Sequence, residues 1–528
     1  MTKRFNETFE VRLRRQSTWQ VERAGLTAPQ ARELGESEFR RNGVEGMQIV
    51  RCRASVVTGS VTEDLMVERI RSKPEPDMVL GTLDEAPACR TIDDLLRPGS
   101  RLALHRLFQG WLRSHEAGVT ECLVSEKLLR RLFDNSTLIR NAVHHAAGRQ
   151  AADATGAAAA RDHLFGLADD LLRRSQDLED WVIQRVQGDP ERLLHEVEEP
   201  GGDDPWRSCA TVGAYLTGRP TRLAKVEALM ALAGNNDNPQ ALDRIDLFLS
   251  DYLMDEEIAL ELAGQAGFLT DRLLWLASAA IGAPPKRSRR TASARRHAFA
   301  AALPGLIGAG KLPRSSFALL LAIEAVLRRD EPLNDGSQAR EQRAVLDLVQ
   351  LLGSGIAFVG GPRLAARLTR RYAASTTTDG ADSFVEAADS IVLGLPDIHL
   401  QARFLLALTN GPNDTRVAEG LLAIANRVFT LYGGLRRLRR RAPTAKALIA
   451  GTDVLCMLLE QAYVDEETRA AWTGKVLANL DQDVQARVEK GELTLHQLLA
   501  LAEEAPAPSK PVQAALVRRL SREAGIVC

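Results

Sequence analysis

Two short arginine-rich segments are the residues best suited to bind a charged partner. The first, at 286–296, contains Arg287, Arg289 and Arg290, and the second, at 436–441, contains five arginines: Arg436, Arg437, Arg439, Arg440 and Arg441. The planar guanidinium group matches the oxygens of a phosphate or a carboxylate. Neither segment has the aromatic side chains on which bases could stack. The pattern predicts binding of a polyanion or an acidic partner, and its alternative is a solvated surface with internal ion pairs.

The segment 305–312 matches the G-x-x-x-x-G-K spacing of a phosphate-binding loop but lacks the final hydroxyl. Leu312 occupies the position of the Ser or Thr that would bind magnesium. The preceding residues 298–303 make a poor strand, and Pro313 stands where the phosphate-binding helix would begin. The sequence therefore favours a glycine-rich turn between helices over a nucleotide site.

Other patterns with chemical potential are equally incomplete. The glycine-rich segment 353–362 follows a helix-like stretch and not a strand, so it predicts a loop into a helix, with an anion site at that helix N-terminus as the functional alternative. The adjacent His144 and His145 would point about 100° apart on a helix and cannot form a one-face metal pair. No G-x-S-x-G elbow is present. We predict no catalytic residue, no metal and no cofactor.

The overall composition indicates a soluble, mainly helical protein. Of the 528 residues 45% are hydrophobic but only 5% are aromatic, a balance that favours helices over strands. The net charge of -1 excludes a global attraction to nucleic acid or to an anionic membrane, so any polyanion site must be local. The basic residues comprise 58 arginines and 10 lysines, a skew typical of a GC-rich bacterial genome.

The cysteine pattern and the apolar segments predict a cytoplasmic location. The six cysteines are scattered without a C-x-x-C pair, which is typical of reduced thiols. The first residues have no apolar run of the kind found in secretory signals. The most apolar segments fall short of the ~20 residues that span a bilayer, so no membrane span is expected.

The first 71 residues predict a small α/β module. Phe9, Val11 and Leu13 alternate with charged residues at the period of a half-buried strand, and Trp19 and Val21 repeat the alternation. A helix start at 27–30 and a returning strand from Met47 complete a ββαβ module. Its sheet can be covered by the helix or can offer an edge strand to a partner.

The rest of the chain predicts helices. We expect a linker at 72–97, a helical subdomain at 98–197, a loop at 198–220, a helical array at 221–502 and a proline-rich connection with a last helix at 503–528. The clearest pattern places Val417, Leu421, Ile424, Val428 and Leu431 on one helix face. No fixed period of tetratricopeptide, ankyrin or HEAT repeats emerges. The predicted fold class is mainly α, an irregular helical array or multi-helix bundle with a small N-terminal ββαβ (α+β) module.

Ample helical surface without a complete catalytic set favours a non-catalytic role. We expect a cytoplasmic adaptor or regulatory scaffold that binds other proteins through its helical surface and its N-terminal module. One alternative is a regulatory protein that binds nucleic acid through the arginine clusters. That alternative predicts binding that weakens steeply with salt. A second alternative is an enzyme whose site is assembled from residues distant in sequence.

Overall fold

The computed structural model shows two compact units, Met1–Val79 and Leu80–Cys528. The residues that the structure describes are 5–15, 18–39, 44, 46–55, 61–70, 80–83, 85–151, 153–186, 204–264, 267–284, 298–355, 357–375, 381–431, 445–461, 466–503 and 510–523.

The first unit is a four-stranded antiparallel sheet with one helix. The strands are β1 (Phe5–Arg15), β2 (Thr18–Leu26), β3 (Gly46–Ser55) and β4 (Val61–Ile70), and the helix is α1 (Ala28–Phe39). The strand order is β2-β1-β3-β4, so β2 and β4 are the edges. The predicted mainly helical fold with an N-terminal α+β module is confirmed, but the module contains one strand more than the ββαβ pattern.

The core of this unit forms because β1 and β3 present alternate residues to α1. Val11 pairs with Ile49 and Leu13 pairs with Met47 across the two strands. These four side chains and Ala31 of α1 are buried in one cluster. The alternation predicted for β1 therefore marks the face that the helix covers.

The unpredicted strand, β4, pairs along almost the whole of β3. Its register with β3 shifts between Ile49 and Val50, so its own side-chain alternation is interrupted. It is also rich in charge, since Glu63 and Asp64 stand in its middle. Because of both properties, β4 lacks the regular apolar alternation from which a strand is predicted.

The second unit consists of helices in its described residues. Its first helices are α2 (Pro98–Ser114), α3 (Val119–Val124), α4 (Glu126–Asp134), α5 (Ser136–Gln150), α6 (Ala154–Val186), α7 (Pro205–Thr217), α8 (Arg222–Gly234), α9 (Pro239–Leu253), α10 (Glu256–Ala263) and α11 (Leu269–Ala280). The next are α12 (Leu303–Gly308), α13 (Pro313–Leu327), α14 (Gln338–Leu352), α15 (Gly361–Ala374), α16 (Ala381–Gly394) and α17 (Ile398–Thr409). The last are α18 (Thr415–Leu431), α19 (Ala445–Gln461), α20 (Glu466–Glu489), α21 (Leu495–Glu503) and α22 (Lys510–Glu523).

Two segments predicted to be irregular belong to the helical unit. The predicted loop at 198–220 contains α7, because Asp204 caps the N–H of Trp206 and Pro205 occupies the first helical position. Part of the predicted linker also packs there: the N–H of Gly81 donates to the carbonyl of Leu107, and a 3-10 helix spans Ile92–Leu96. Their acidic and proline-rich composition is typical of loops, so the sequence did not predict that these two segments are ordered.

The helices have clear packing faces. The best predicted helix, α18, buries Val417, Leu421, Ile424 and Val428, and the Asp414 side chain accepts a hydrogen bond from the N–H of Val417 in its first turn. Within the described part of the chain, no single helix is both long and apolar enough to cross a membrane. The segments Phe299–Gly308 and Pro313–Leu327 reach those limits only as a pair bent by 114°.

Candidate interaction site

The arginine clusters predicted from the sequence lie outside the described residues. Arg287, Arg289 and Arg290 fall in the gap 285–297, and the five arginines of 436–441 fall in the gap 432–444. Their role in binding a polyanion or an acidic partner stays a prediction.

The segment that matches a phosphate-binding loop forms a helix and a turn. Gly305 and Gly308 lie in α12, and Gly310 has a positive φ of 73° in the turn that follows. Lys311 is held by α8–α9 loop groups, since its Nζ lies 2.6 Å from Asp237 Oδ1 and 3.0 Å from the Asn236 carbonyl. The lysine is engaged by a carboxylate, so the segment serves as the glycine-rich turn that the sequence favoured.

The second glycine-rich segment leads into α15, as predicted. Gly360 has a φ of 94° at the start of the helix, a conformation that favours glycine. The Gly353 carbonyl accepts a hydrogen bond of 2.9 Å from Arg403 Nη1. This loop leads into a helix that carries four arginines, Arg363, Arg367, Arg370 and Arg371.

Three arginines of α15 share one helix face. Arg363, Arg367 and Arg370 stand at positions i, i+4 and i+7. Arg328, directly after α13, joins them because α13 packs on α15. We call these four residues the arginine stripe. Its side chains reach solvent, with the Arg363 side chain 47% exposed and that of Arg328 37% exposed.

One carboxylate lies under the stripe. Oε1 of Glu324 is 2.5 Å from Arg328 Nη2 and 3.4 Å from Arg363 Nη2, and the Glu324 side chain is only 8% exposed. Glu324 thus orients two of the guanidinium groups of the stripe.

The charges that act most strongly on Arg367 are mainly positive. Burial lowers the pKa of Arg367, and the positive charges of Arg328, Arg370 and Arg363 lower it further. The negative charge of Glu324 raises the pKa and offsets part of this effect. Positive charges therefore outweigh the negative charge among the groups that act most strongly on Arg367. An added anion would relieve this repulsion.

A fourth arginine of α15 has a structural role. Arg371 donates 2.8 Å to the Arg329 carbonyl and 2.5 Å to the Glu331 carbonyl, and it lies 3.5 Å from Glu341 Oε2. These bonds tie α15 to the end of α13 and to α14. The helix is thereby fixed by one arginine while the stripe stays at the surface.

A second charged cluster is buried between α2, α3, α8 and α9. Lys225 Nζ lies 2.6 Å from Glu121 Oε1, Tyr252 donates its hydroxyl to Glu121, and Arg101 lies 3.1 Å from Asp251. Burial first, and then the charge of Glu121, raise the pKa of Tyr252. These groups are paired with one another and closed to solvent, so the cluster joins four helices and offers no surface to a substrate.

A third cluster lies on the sheet of the first unit. Ligand atoms of Glu10, Cys52 and Glu63 lie within 4.8 Å of one another, close enough for a metal ion. Arg12 Nη2 is 2.8 Å from Glu63 and 3.1 Å from Glu10, so a guanidinium already supplies the positive charge. Burial and the charges of the two glutamates raise the pKa of Cys52. The group does not fit a metal site.

Only part of the arginine stripe could be predicted from the sequence. The spacing of Arg363, Arg367 and Arg370 on a helix with no acidic residue is visible in the chain. Arg328 and Glu324 join the site only through the packing of α13 on α15, which no local pattern reveals.

Comparison of the chain with protein-family models, curated proteins and solved structures found no match.

Proposed function

We propose that the chain is a non-catalytic adaptor or regulatory scaffold that binds an acidic segment of another protein on the arginine stripe. The observation that carries this proposal is the grouping of Arg328, Arg363, Arg367 and Arg370 on one surface, where Glu324 pairs with Arg328 and Arg363 and the neighbouring arginines lower the pKa of Arg367. Guanidinium groups bind carboxylates through two parallel hydrogen bonds, which gives direction as well as charge.

The dimensions of the stripe suit a peptide. From Arg363 to Arg370 the helix rises roughly 10 Å, at about 1.5 Å per residue. Alternate side chains of an extended peptide are about 6.6 Å apart, close to the rise of about 6 Å between Arg363 and Arg367. Two acidic residues separated by one residue can therefore face two arginines at once.

Nucleic acid is the alternative ligand, because guanidinium groups also bind phosphates. A duplex carries one charge per roughly 1.7 Å and normally engages a broader basic surface. The net charge of -1 supplies no long-range attraction to it. These properties favour an acidic protein segment as the ligand. The test therefore measures binding of DNA as well as of a peptide.

The proposed location is the cytoplasm of a bacterium. The five described cysteines, Cys52, Cys89, Cys122, Cys209 and Cys456, are free thiols, which suits a reducing compartment.

The test compares two triple variants of the full chain with equal charge changes. In the first, Arg363, Arg367 and Arg370 become glutamine. In the control, exposed arginines that each pair with a nearby carboxylate become glutamine: Arg130, Arg173 and Arg416. Fluorescence anisotropy measures the Kd of a labelled twelve-residue peptide of alternating Glu and Ser, and of a DNA duplex, over a range of salt concentrations.

We expect the peptide to bind the native chain and the control equally. Loss of three surface charge contacts of about 0.2–1 kcal/mol each weakens binding by roughly 3- to 150-fold in the stripe variant. Equal affinities of the two variants, or no binding to the native chain, would refute the proposal. DNA binding tighter than peptide binding and lost with the stripe would instead support the nucleic-acid function.

A further inference from the structure

An apolar cavity lies among the helices at the start of the second unit. Its volume is about 150 Å³, and its walls come from α2 to α6 and the 3-10 helix Ile92–Leu96. Every lining side chain belongs to alanine, cysteine, isoleucine, leucine, phenylalanine or valine. The cavity is distinct from the arginine stripe, none of whose residues lines it.

Small residues create this space. Ala142 and Ala146 stand four positions apart on one face of α5, and Ala168 faces the cavity from the neighbouring α6. A leucine at any of the three positions would occupy volume that is now empty. Interiors normally pack without such voids, because each lost contact costs dispersion energy.

The lining contains both buried and half-buried residues. Ala142 and Leu167 are buried on the inner wall, whereas Ala146 and Ala168 are half-buried. The cavity therefore extends from the buried inner wall towards the surface at α5 and α6.

The lining decides what the cavity can hold. A buried water needs two to four polar partners, and none of the lining side chains offers more than a thiol. A charged ligand would lose its hydration without compensation. We propose that the cavity binds a small uncharged apolar molecule, an aromatic ring or a short hydrocarbon chain of about the size of benzene.

Cys122 in the wall is a buried thiol. Burial raises the pKa of its thiol well above the ordinary value, with the charge of Glu121 adding to the effect. The thiol stays protonated and contributes an apolar, polarisable surface. Binding is thus expected to be non-covalent.

The test uses toluene with the full chain and follows the thermal unfolding midpoint. Toluene at ten times its Kd should raise the midpoint of the native protein by roughly 1–3 °C, with saturation. Benzoate, which has the same ring and a charge, should give no shift.

Two variants that fill the cavity, and one control variant, test whether toluene binds there. Ala142→Leu fills the inner wall, and Ala168→Leu fills the half-buried mouth, where an added side chain is easier to accommodate. Both should abolish the toluene shift, whereas Ala159→Leu on the exposed face of α6 should retain it. An absent or unsaturable shift in the native protein, a shift that survives Ala168→Leu, or an equal shift with benzoate would overturn the inference.

Discussion

Asp255 is a buried carboxylate held by two arginines. Its Oδ2 lies 2.7 Å from Arg113 Nε and 2.7 Å from Arg222 Nη1, and its Oδ1 accepts from the N–H of Glu257 at the start of α10. Burial alone would raise the pKa of Asp255, but the hydrogen bond and charge of Arg113, with the charge of Arg222, bring it below the ordinary value of 3.8. The ionised form therefore stabilises the folded chain.

This carboxylate makes stability depend on pH in a defined direction. Because the pKa of Asp255 is lower in the folded state, its contribution is complete above the unfolded pKa of about 3.9 and is lost as pH falls through the folded pKa. Asp255→Asn keeps an oxygen for the helix cap but removes the charge. We expect a loss of about 3 kcal/mol at pH 7, because Arg113 and Arg222 lose their buried partner and keep the more exposed Glu116, Glu256 and Glu257.

Thermal unfolding midpoints of the native chain and Asp255→Asn, measured from pH 7 to pH 3, check this prediction. The difference between the two should be constant at neutral pH and shrink below about pH 4. A difference that stays constant down to pH 3 would show that the ionised form of Asp255 does not stabilise the folded chain. Asp382→Asn is the control, since Asp382 pairs with Arg416 at the surface.

At the scale of elements, the close packing of α17 on α19 depends on one glycine. A Cβ atom at Gly451 would lie 2.2 Å from Nδ1 of His399, a buried side chain of α17. At Gly474 in α20, a Cβ atom would meet no other atom within 4 Å. The two helical glycines thus differ in packing and not in helix propensity.

This difference predicts opposite effects of one substitution. Gly451→Ala should destabilise the chain by about 1–3 kcal/mol, because α17 and α19 must separate or His399 must leave its rotamer. Gly474→Ala should stabilise by roughly 0.5–1 kcal/mol, because alanine loses less backbone entropy in a helix. Thermal midpoints at a fixed scan rate measure both. A Gly451→Ala midpoint at or above the native value would contradict the packing.

Elements with strong local signals were predictable, and elements defined by their neighbours were not. The face of α18 and its cap at Asp414 follow from spacing and turn chemistry. Helix α7 escaped prediction because acidic and glycine-rich residues precede it, although Trp206 and Leu216 bury its inner face. Strand β4 escaped because its pairing with β3, interrupted by a bulge, defines it more than its own pattern does.

At the scale of the whole molecule, sequence composition predicted the fold class and left the site open. Scarce aromatic residues and abundant helix formers indicated a helical chain, and the alternation near the N-terminus indicated the sheet. Arg328 directly follows α13 and the other three arginines of the stripe lie on α15, with 34 residues between Arg328 and Arg363, so their meeting depends on tertiary packing. A search for local clusters instead selected 286–296 and 436–441.

The central claim concerns the sign of the charge on the stripe, and a charge exchange tests it most directly. Arg363 and Arg370, both exposed, are replaced together by glutamate in the full chain, and circular dichroism confirms that the helices are retained. Anisotropy then measures binding of the Glu–Ser peptide and of a matching Lys–Ser peptide. The account predicts that the variant loses the acidic peptide and gains the basic one, while the native chain shows the opposite preference. Unchanged binding of the acidic peptide to the variant would contradict it.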